Sequence, residues 1–182
     1  TPLFYLITDN SRCFEGDPFG GFSARSYAWE NVDDSRCGFF DFATFEDYAK
    51  WIYSTEPVFI QKNGKDVFCP DMNNAEIFSN EEITSGDISH IMSMVFPNVR
   101  VKRFIEIRAA DSMPYEFMLA YAALVKGLFY SVDAVKHLNQ MFDFVKTDDM
   151  LAQIKLIRSN GFNCDYYGYD MKKVIENVFE FA

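Results

Sequence analysis

The sequence predicts an α+β fold, and three observations carry that expectation. Two β-prone runs flank Asn63-Gly64, residues 99–108 alternate in polarity with the period of a strand, and apolar residues recur at helical spacing through most of the chain beyond Tyr115. With 182 residues, 49% apolar and 18% aromatic, the chain can bury a core of ordinary size.

The first forty residues carry turn chemistry: "EGDPFGGFS" clusters the Gly, Asp and Pro that loops need, so an ordered loop region is expected there. In "TFEDYAKWIYS", Thr44 and Asp47 have capping-box spacing, and Phe45, Tyr48, Ala49 and Ile52 follow at helical intervals, predicting a helix over 45–54. "PVFIQKNGKDVFC" reads as a hairpin turning at Asn63-Gly64, a pair that tolerates positive φ. "SNEE" from Ser79 has the form of a capping box, and Ile88, Ile91, Met92 and Val95 predict a short amphipathic helix ending before Pro97. A strand over 99–108 follows. Asp111 or Ser112 is expected to cap the next helix, with Pro114 in its first turn, and residues 115–130 are apolar nearly all round, so burial on most sides is expected. Further helices are predicted over 132–145, over 148–159 with Gly161 past the end, and over 171–181 capped by Asp170.

Charge narrows the function classes. The 17 basic and 27 acidic residues give a net charge of −10, which repels nucleic acid and anionic membrane surfaces. The most apolar stretch, "FMLAYAALVKGLFY", is interrupted by Lys126 and is short for a bilayer. Cys13, Cys37, Cys69 and Cys164 form no C-x-x-C pair, so reduced thiols in a soluble, cytoplasmic protein are expected. "TPLFYLITDN" has neither an initiator Met nor the form of a signal peptide, which raises the expectation of a fragment.

Residues 99–108 pose the functional question. In a continuous strand Val99, Val101, Arg103, Ile105 and Ile107 share one face, and Arg100, Lys102, Phe104, Glu106 and Arg108 share the other. That pattern fits a half-exposed antiparallel strand with Glu106 offsetting neighbouring cations. It fits equally a sheet face lining a cavity, where a carboxylate holds a metal ion and an arginine grips a phosphoryl or carboxylate group. Spacing does not choose between them.

The motifs around this strand resemble a known family. "MVFPNVRVKRFIEIRAADSMP", running into "FMLAYAALVKGLFY", resembles the plant-type glutamate–cysteine ligases, in which a strand ending in Glu-x-Arg-x-x-Asp precedes an apolar helix. Upstream, "LFYLITDNSRCFEGDPFGGFSARSYAWENVDDSRCG" is similar to the family segment in which Ser-x-Arg-Ser precedes a Trp, an Asp and an Arg-x-Gly. Between the two, "FATFEDYAKWIYSTEPVFIQKNGK" keeps the family order of helix, Pro-bearing strand and Asn-Gly hairpin.

The resemblance implies a glutamine-synthetase-like fold, an antiparallel sheet with helices packed on one side, and here a partial domain. The whole chain, 1–182, would be the C-terminal portion of a catalytic domain whose N-terminal portion is absent, and the chain alone would be inactive. The implied activity is ATP-dependent ligation of the glutamate γ-carboxylate to the cysteine amine through a γ-glutamyl phosphate, the first step of glutathione biosynthesis, with Mg²⁺ as the metal. The implied partners are therefore glutamate and cysteine. By the resemblance Glu106 binds a Mg²⁺ ion and Arg108 faces the transferred phosphoryl group as the catalytic residue. Arg25 is the candidate for a substrate α-carboxylate, and Trp29 and Arg36 belong to the amino-acid pocket.

Each role has a plainer alternative: a surface arginine at 25, a packing residue at 29, and an Asp33–Arg36 pair that holds a turn. Asn31 stands where the family usually has Asp, Cys37 where it has Thr, and Ala109 where it has Gly. A γ-glutamyl ligase for another amine would look the same, and a metabolite-binding module that kept the sheet and lost the chemistry is the reading from another class. A partial domain rich in aromatic residues would expose apolar surface, which invites an oligomer. His90 and His137 lack metal-spaced partners, and the sequence has no nucleophile elbow or P-loop.

Overall fold

The computed structural model describes residues 2–80 and 82–182. In chain order the elements are α1 (Pro2–Thr8), β1 (Cys13–Phe14), β2 (Asp17–Pro18), α2 (Ala24–Glu30), β3 (Cys37–Gly38), α3 (Phe45–Ser54), β4 (Ile60–Lys62), β5 (Lys65–Val67), α4 (Asn74–Ile77) and α5 (Ser85–Ser93). There follow β6 (Phe96–Pro97), β7 (Val99–Val101), β8 (Ile105–Ile107), α6 (Tyr115–Tyr130), α7 (Val132–Phe142), α8 (Thr147–Asn160) and α9 (Met171–Glu180). Helices and small sheets together make an α+β protein, as the sequence predicts. The strands form two-stranded ladders, antiparallel for β1–β2, β4–β5 and β7–β8 and parallel for β3–β6.

The chain divides into two compact units, one made of the residues up to Ala28 together with Ala109–Ala182, the other of Trp29–Arg108. In the second unit, α3 starts where expected: the Thr44 hydroxyl accepts from Asp47 N while the Asp47 carboxylate accepts from Thr44 N. The hairpin also forms, with Asn63 and Gly64 at φ 52° and 72°. Tyr48 and Ile52 of α3 meet Ile91 of α5 and Val95 in a core onto which Phe42, Trp51 and Val101 pack. The cap expected at "SNEE" is not where α5 begins. Thr84 caps it with Asp87, and Glu81 of that stretch lies outside the described residues.

The strand expected over 99–108 is two strands. β7 and β8 pair with Val99 opposite Ile107, Arg100 opposite Glu106 and Val101 opposite Ile105. The reversal at Lys102-Arg103-Phe104 closes with Lys102 N donating to Phe104 O at 2.9 Å. None of those three residues is a turn former, so the sequence carries no signal for it.

In the first unit, the loop expected over the first forty residues gives way to α1, the β1–β2 hairpin and α2. α1 has no polar face or cap to announce it. Leu3, Phe4, Tyr5 and Leu6 are all buried, and Phe4 meets the rings of Tyr121 and Phe129. α2 did have a signal, since Ser23 Oγ accepts from Ser26 N at its start. α6 departs from the expectation of burial: Leu124 and Leu128 are covered, but Tyr115, Phe117, Leu119 and Tyr130 are exposed. The unit covers one line of that helix and leaves the rest bare. Its N-cap is Pro114 with no side-chain bond, because the Asp111 carboxylate is used elsewhere. α7, α8 and α9 follow their predicted spans to within a few residues, with Asp170 accepting from Lys173 N at the start of α9. Gly161 follows α8 with φ +59°, and Phe22 lies where a Cβ would project, so both torsion and space favour glycine there.

Asp9, just after α1, has a side chain only 3% exposed. Burial, aided by repulsion from Asp111, pushes its carboxyl up to about 6, and Arg12 and the Ser11 N–H offset only part of that. The raised value penalises the charged form in the folded state. Above pH 6 the penalty is complete, and as pH falls towards the ordinary 3.8 the native protein takes up a proton that the unfolded chain does not, so stability rises. Asp9→Asn is therefore expected to raise stability at pH 7 by about 1–3 kcal/mol. The gain should vanish by about pH 4, read as urea midpoints across pH.

Candidate functional site

The second unit gathers Trp29, Arg36, Phe96, Arg100, Glu106 and Arg108 around the segment 96–108. Phe96 N donates to Arg36 O at 2.7 Å and Asn98 N to Gly38 O at 2.9 Å, tying that segment to β3. Asn98 O accepts from Arg108 N at 2.8 Å, which extends the β7–β8 ladder by one step. Backbone bonds thus position the Arg36 and Arg108 main chains on the same short stretch, 96–98.

At the centre is Arg100, which the sequence places on the charged face of the strand, without deciding whether that face meets solvent or lines a cavity. It is 6% exposed. Its Nε donates to Glu106 Oε2 at 2.6 Å, and its Nη1 donates to the carbonyls of Ser93 and Val95 at 3.2 and 3.1 Å. A buried guanidinium needs this full set of acceptors. Its role was hidden because the turn at 102–104 was; once β7 and β8 fold back, Arg100 stands opposite Glu106.

Glu106 also lies 3.5 Å from Arg108 Nη1, again through Oε2. Oε1 carries no hydrogen bond or ion pair among the described residues. The Arg100 hydrogen bond is the main cause holding the Glu106 carboxyl below its ordinary range, with Arg100, Lys102 and Arg108 charges adding to it against partial burial. The side chain is 29% exposed and that of Arg108 is 19%, so the pair is neither sealed nor turned out into bulk water. The Arg108 guanidinium lies 5.5 Å from the Trp29 ring centroid and 5.4 Å from that of Phe96. The ring centroids are 6.2 Å apart, so the cation lies beside both rings at the apex of a near-equilateral triangle, close enough for each to attract it. Phe96 escaped the sequence reading, which offered no way to see that a residue before Pro97 would floor an arginine.

Arg36 forms the plainer pair expected of it. Its Nε donates to Asp33 Oδ2 at 2.6 Å, and its Nη2 contacts the same oxygen. Asp33 also accepts from the Ser35 hydroxyl, which leads the causes that lower its carboxyl pKa. Burial and the nearby Asp33 push the Cys37 thiol up, so that residue favours a neutral thiol over a nucleophile. Arg25 lies in the first unit, at the second position of α2, with its backbone N donating to Ser11 Oγ at 3.0 Å.

Asp111, the last residue of the Glu-x-Arg-x-x-Asp motif, serves the first unit. It accepts from Asn10 N at 3.2 Å, from Ser11 Oγ at 2.5 Å and from Ser112 N at 2.7 Å, while Asp111 N donates to Thr8 Oγ1. Burial opposes its charge, but these donors hold its carboxyl below the usual range.

Mg²⁺ takes six oxygen ligands, commonly one or two carboxylates with water and phosphate oxygens making up the rest. Among the described residues no cluster of three or more His, Cys, Asp or Glu could cage a metal ion. Glu106, with Oε1 uncommitted, fits the part of a single carboxylate ligand. His90 Nε2 meets Phe59 O at 3.0 Å and His137 Nε2 meets Asn177 Oδ1 at 2.6 Å.

Arg100→Met is expected to destabilise the protein by about 2 kcal/mol, because Glu106 loses its buried partner and two carbonyls lose their donor. A shift of the urea midpoint with an unchanged slope would register it. No change would mean that water replaces the guanidinium at no cost.

Comparison with known proteins gives one family. The family described as glutamate-cysteine ligase family 2 (GCS2) matches residues 2–158. Similar curated proteins include the chloroplastic glutamate–cysteine ligase of Brassica juncea, 28% identical over 100% of this chain and 38% of the relative. The chloroplastic glutamate–cysteine ligase A of Oryza sativa subsp. indica is 29% identical over 77% of this chain and 31% of its own length. The chloroplastic enzyme of Solanum lycopersicum is 28% identical over 87% of this chain and 33% of its own length. The chain thus spans at most 38% of these three relatives. Their chloroplastic names overturn the expectation of a cytoplasmic protein. Reduced thiols and net acidity do not distinguish one reducing compartment from another. Among the described residues no single helix is long and apolar enough to cross a membrane.

Proposed function

Because the chain belongs to glutamate-cysteine ligase family 2, we propose that it is the C-terminal portion of the catalytic domain of an ATP-dependent ligase joining glutamate to cysteine. The match over residues 2–158, with Glu106 and Arg108 side by side and Arg108 near two aromatic rings, is the observation that carries this reading. The glutamine-synthetase-like architecture belongs to the same proposal: β7 and β8 would be strands of a larger antiparallel sheet completed by residues outside this chain. The relatives' names support a plastid location.

A carboxylate is a poor electrophile, so the reaction must first make one of its oxygens a leaving group. A glutamate γ-carboxylate oxygen attacks the γ-phosphorus of ATP and ADP departs. The cysteine nitrogen then attacks the acyl carbon, phosphate departs with the bond to carbon, and the nitrogen loses a proton. In the first step charge spreads over the moving phosphoryl oxygens, and groups placed beforehand must meet it. Arg108 is the residue proposed to do so, because its guanidinium is held beside Glu106 and near the Trp29 and Phe96 rings. Arg100 acts one step back, orienting Glu106. Glu106 Oε1 is the proposed ligand of a Mg²⁺ ion, which when bound neutralises charge on the phosphate oxygens. Arg25 is proposed for a substrate α-carboxylate on the strength of its Ser-x-Arg-Ser motif, since a planar fork suits that group. Trp29 and Arg36 are proposed to line the amino-acid pocket, Arg36 braced by Asp33.

Cys37 in place of Thr and Asn31 in place of Asp favour, as a second reading, an acceptor amine other than cysteine. Phosphate release from ATP and glutamate by the full-length protein, with cysteine and a panel of amines, tests both. Cysteine-selective release supports the ligase as proposed. Equal rates with unrelated amines defeat the cysteine assignment, and no release with any amine would leave a metabolite-binding module.

A further inference from the structure

The first unit contains a cavity of 560 Å³ with a composition that the ligase reading does not use. Its walls are mostly apolar, including Ile7, Met113, Phe117, Leu124 and Phe179, and the polar residues Thr8, Asp9, Asn10 and Tyr121 also line it. Among the described residues, neither Asp9 oxygen accepts a hydrogen bond of normal geometry and the Tyr121 hydroxyl has no hydrogen-bond partner. Arg12 Nη2 forms an ion pair with Asp9 Oδ2 at 3.4 Å without a well-aligned hydrogen bond, and its side chain is 55% exposed, with the guanidinium over the Phe22 ring. Asp111, the other acid near Asp9, is saturated by Ser11, Asn10 and Ser112.

Buried polar atoms without partners are rare in folded proteins, and a buried carboxylate held only by a 3.4 Å ion pair and a weak Ser11 N–H contact keeps capacity for a further donor. Such a carboxylate and an unpartnered hydroxyl on the wall of one mostly apolar cavity ask for a ligand that brings a positive donor group and an apolar body. Volumes of this size are ordinary for small-molecule sites, and the net charge of −10 raises the local concentration of cations. We propose that this cavity is a binding site for a small organic ammonium ion, its N–H groups donating to Asp9 and to the Tyr121 oxygen and its hydrocarbon part lying against Phe117, Leu124 and Phe179. The site involves no residue proposed for the ligase reaction and stands whether or not that reading does.

Isothermal titration calorimetry with 2-phenylethylammonium chloride tests it, with 2-phenylethanol as the neutral isostere of the probe. The wild-type protein should bind the ammonium at least about tenfold more tightly than the alcohol, the scale of one charge-assisted hydrogen bond. Asp9→Asn should abolish that preference. Tyr121→Phe should weaken ammonium binding about threefold to tenfold, again the scale of one hydrogen bond. Asp9→Asn is expected to fold at least as well as wild type, so loss of the preference reads binding and not unfolding. Equal affinities for ammonium and alcohol in the wild type, an ammonium preference retained by Asp9→Asn, or no detectable binding of either probe would overturn the proposal.

Discussion

Arg108→Ala is expected, on the proposed ligase reading, to lower the turnover of the full-length protein by about 10²- to 10³-fold, the usual cost of removing one preorganised donor from a transition state. The expectation follows from how the side chain is held. Its guanidinium lies 5.5 Å from Trp29 and 5.4 Å from Phe96, so it meets developing charge without first having to find its place. Arg108→Lys keeps a charge but not the planar fork, and should recover only part of the rate. The competing account makes Arg108 a packing residue that covers two rings. In that case the alanine variant would lose stability while each folded molecule kept its rate, and single-turnover phosphate release normalised to folded protein would tell the two apart.

Glu106→Gln should shift the Mg²⁺ concentration for half-maximal turnover upward by about 10- to 100-fold, the range seen when a metal ligand or its support is altered. The amide keeps the shape and one acceptor for Arg100 but removes the charge that a hard cation requires. A second consequence concerns acid. The Glu106 carboxyl is held below its ordinary 4.5, first by the Arg100 hydrogen bond, so the folded state favours the anion. Its contribution to stability is complete above pH 4.5 and is lost as pH falls through the depressed native value. The stability gap between wild type and Glu106→Gln, open at pH 7, should therefore close on the acid side. If the Mg²⁺ titration did not move while the acid-side gap closed as described, Glu106 would be the partner of Arg100 and nothing more.

The two readings left open by alternation along 99–108 depended on one missing fact, the turn at Lys102-Arg103-Phe104. A single strand puts Arg100 and Glu106 six residues apart on one face; a hairpin puts them opposite each other at 2.6 Å. Glu106 and Arg108 were legible because a separation of two keeps them on one face in either case. Arg36 and Asp33, three residues apart, were legible for the same kind of reason, since a local pair needs only a local turn. Phe96 and Arg100 were not, because their roles come from partners brought close by folding.

Local chemistry in the chain was enough to determine the α3 cap at Thr44–Asp47, the Asn63-Gly64 hairpin, the starts of α8 and α9, and the motifs that belong to the ligase family. Those features depend on neighbours within about four residues, so their energetics are written in short words of sequence. Tertiary structure alone decided that Pro2–Thr8 is a buried helix, that Asp111 clamps the Asn10–Ser11 turn instead of capping α6, that α6 is covered along only one line, and that Arg100 sits in the interior beneath Glu106. Each of these turns on where a segment far away in the chain comes to rest. An apolar stretch or a charged side chain states what it needs, a cover or a counter-charge, and only the folded packing supplies one or withholds it.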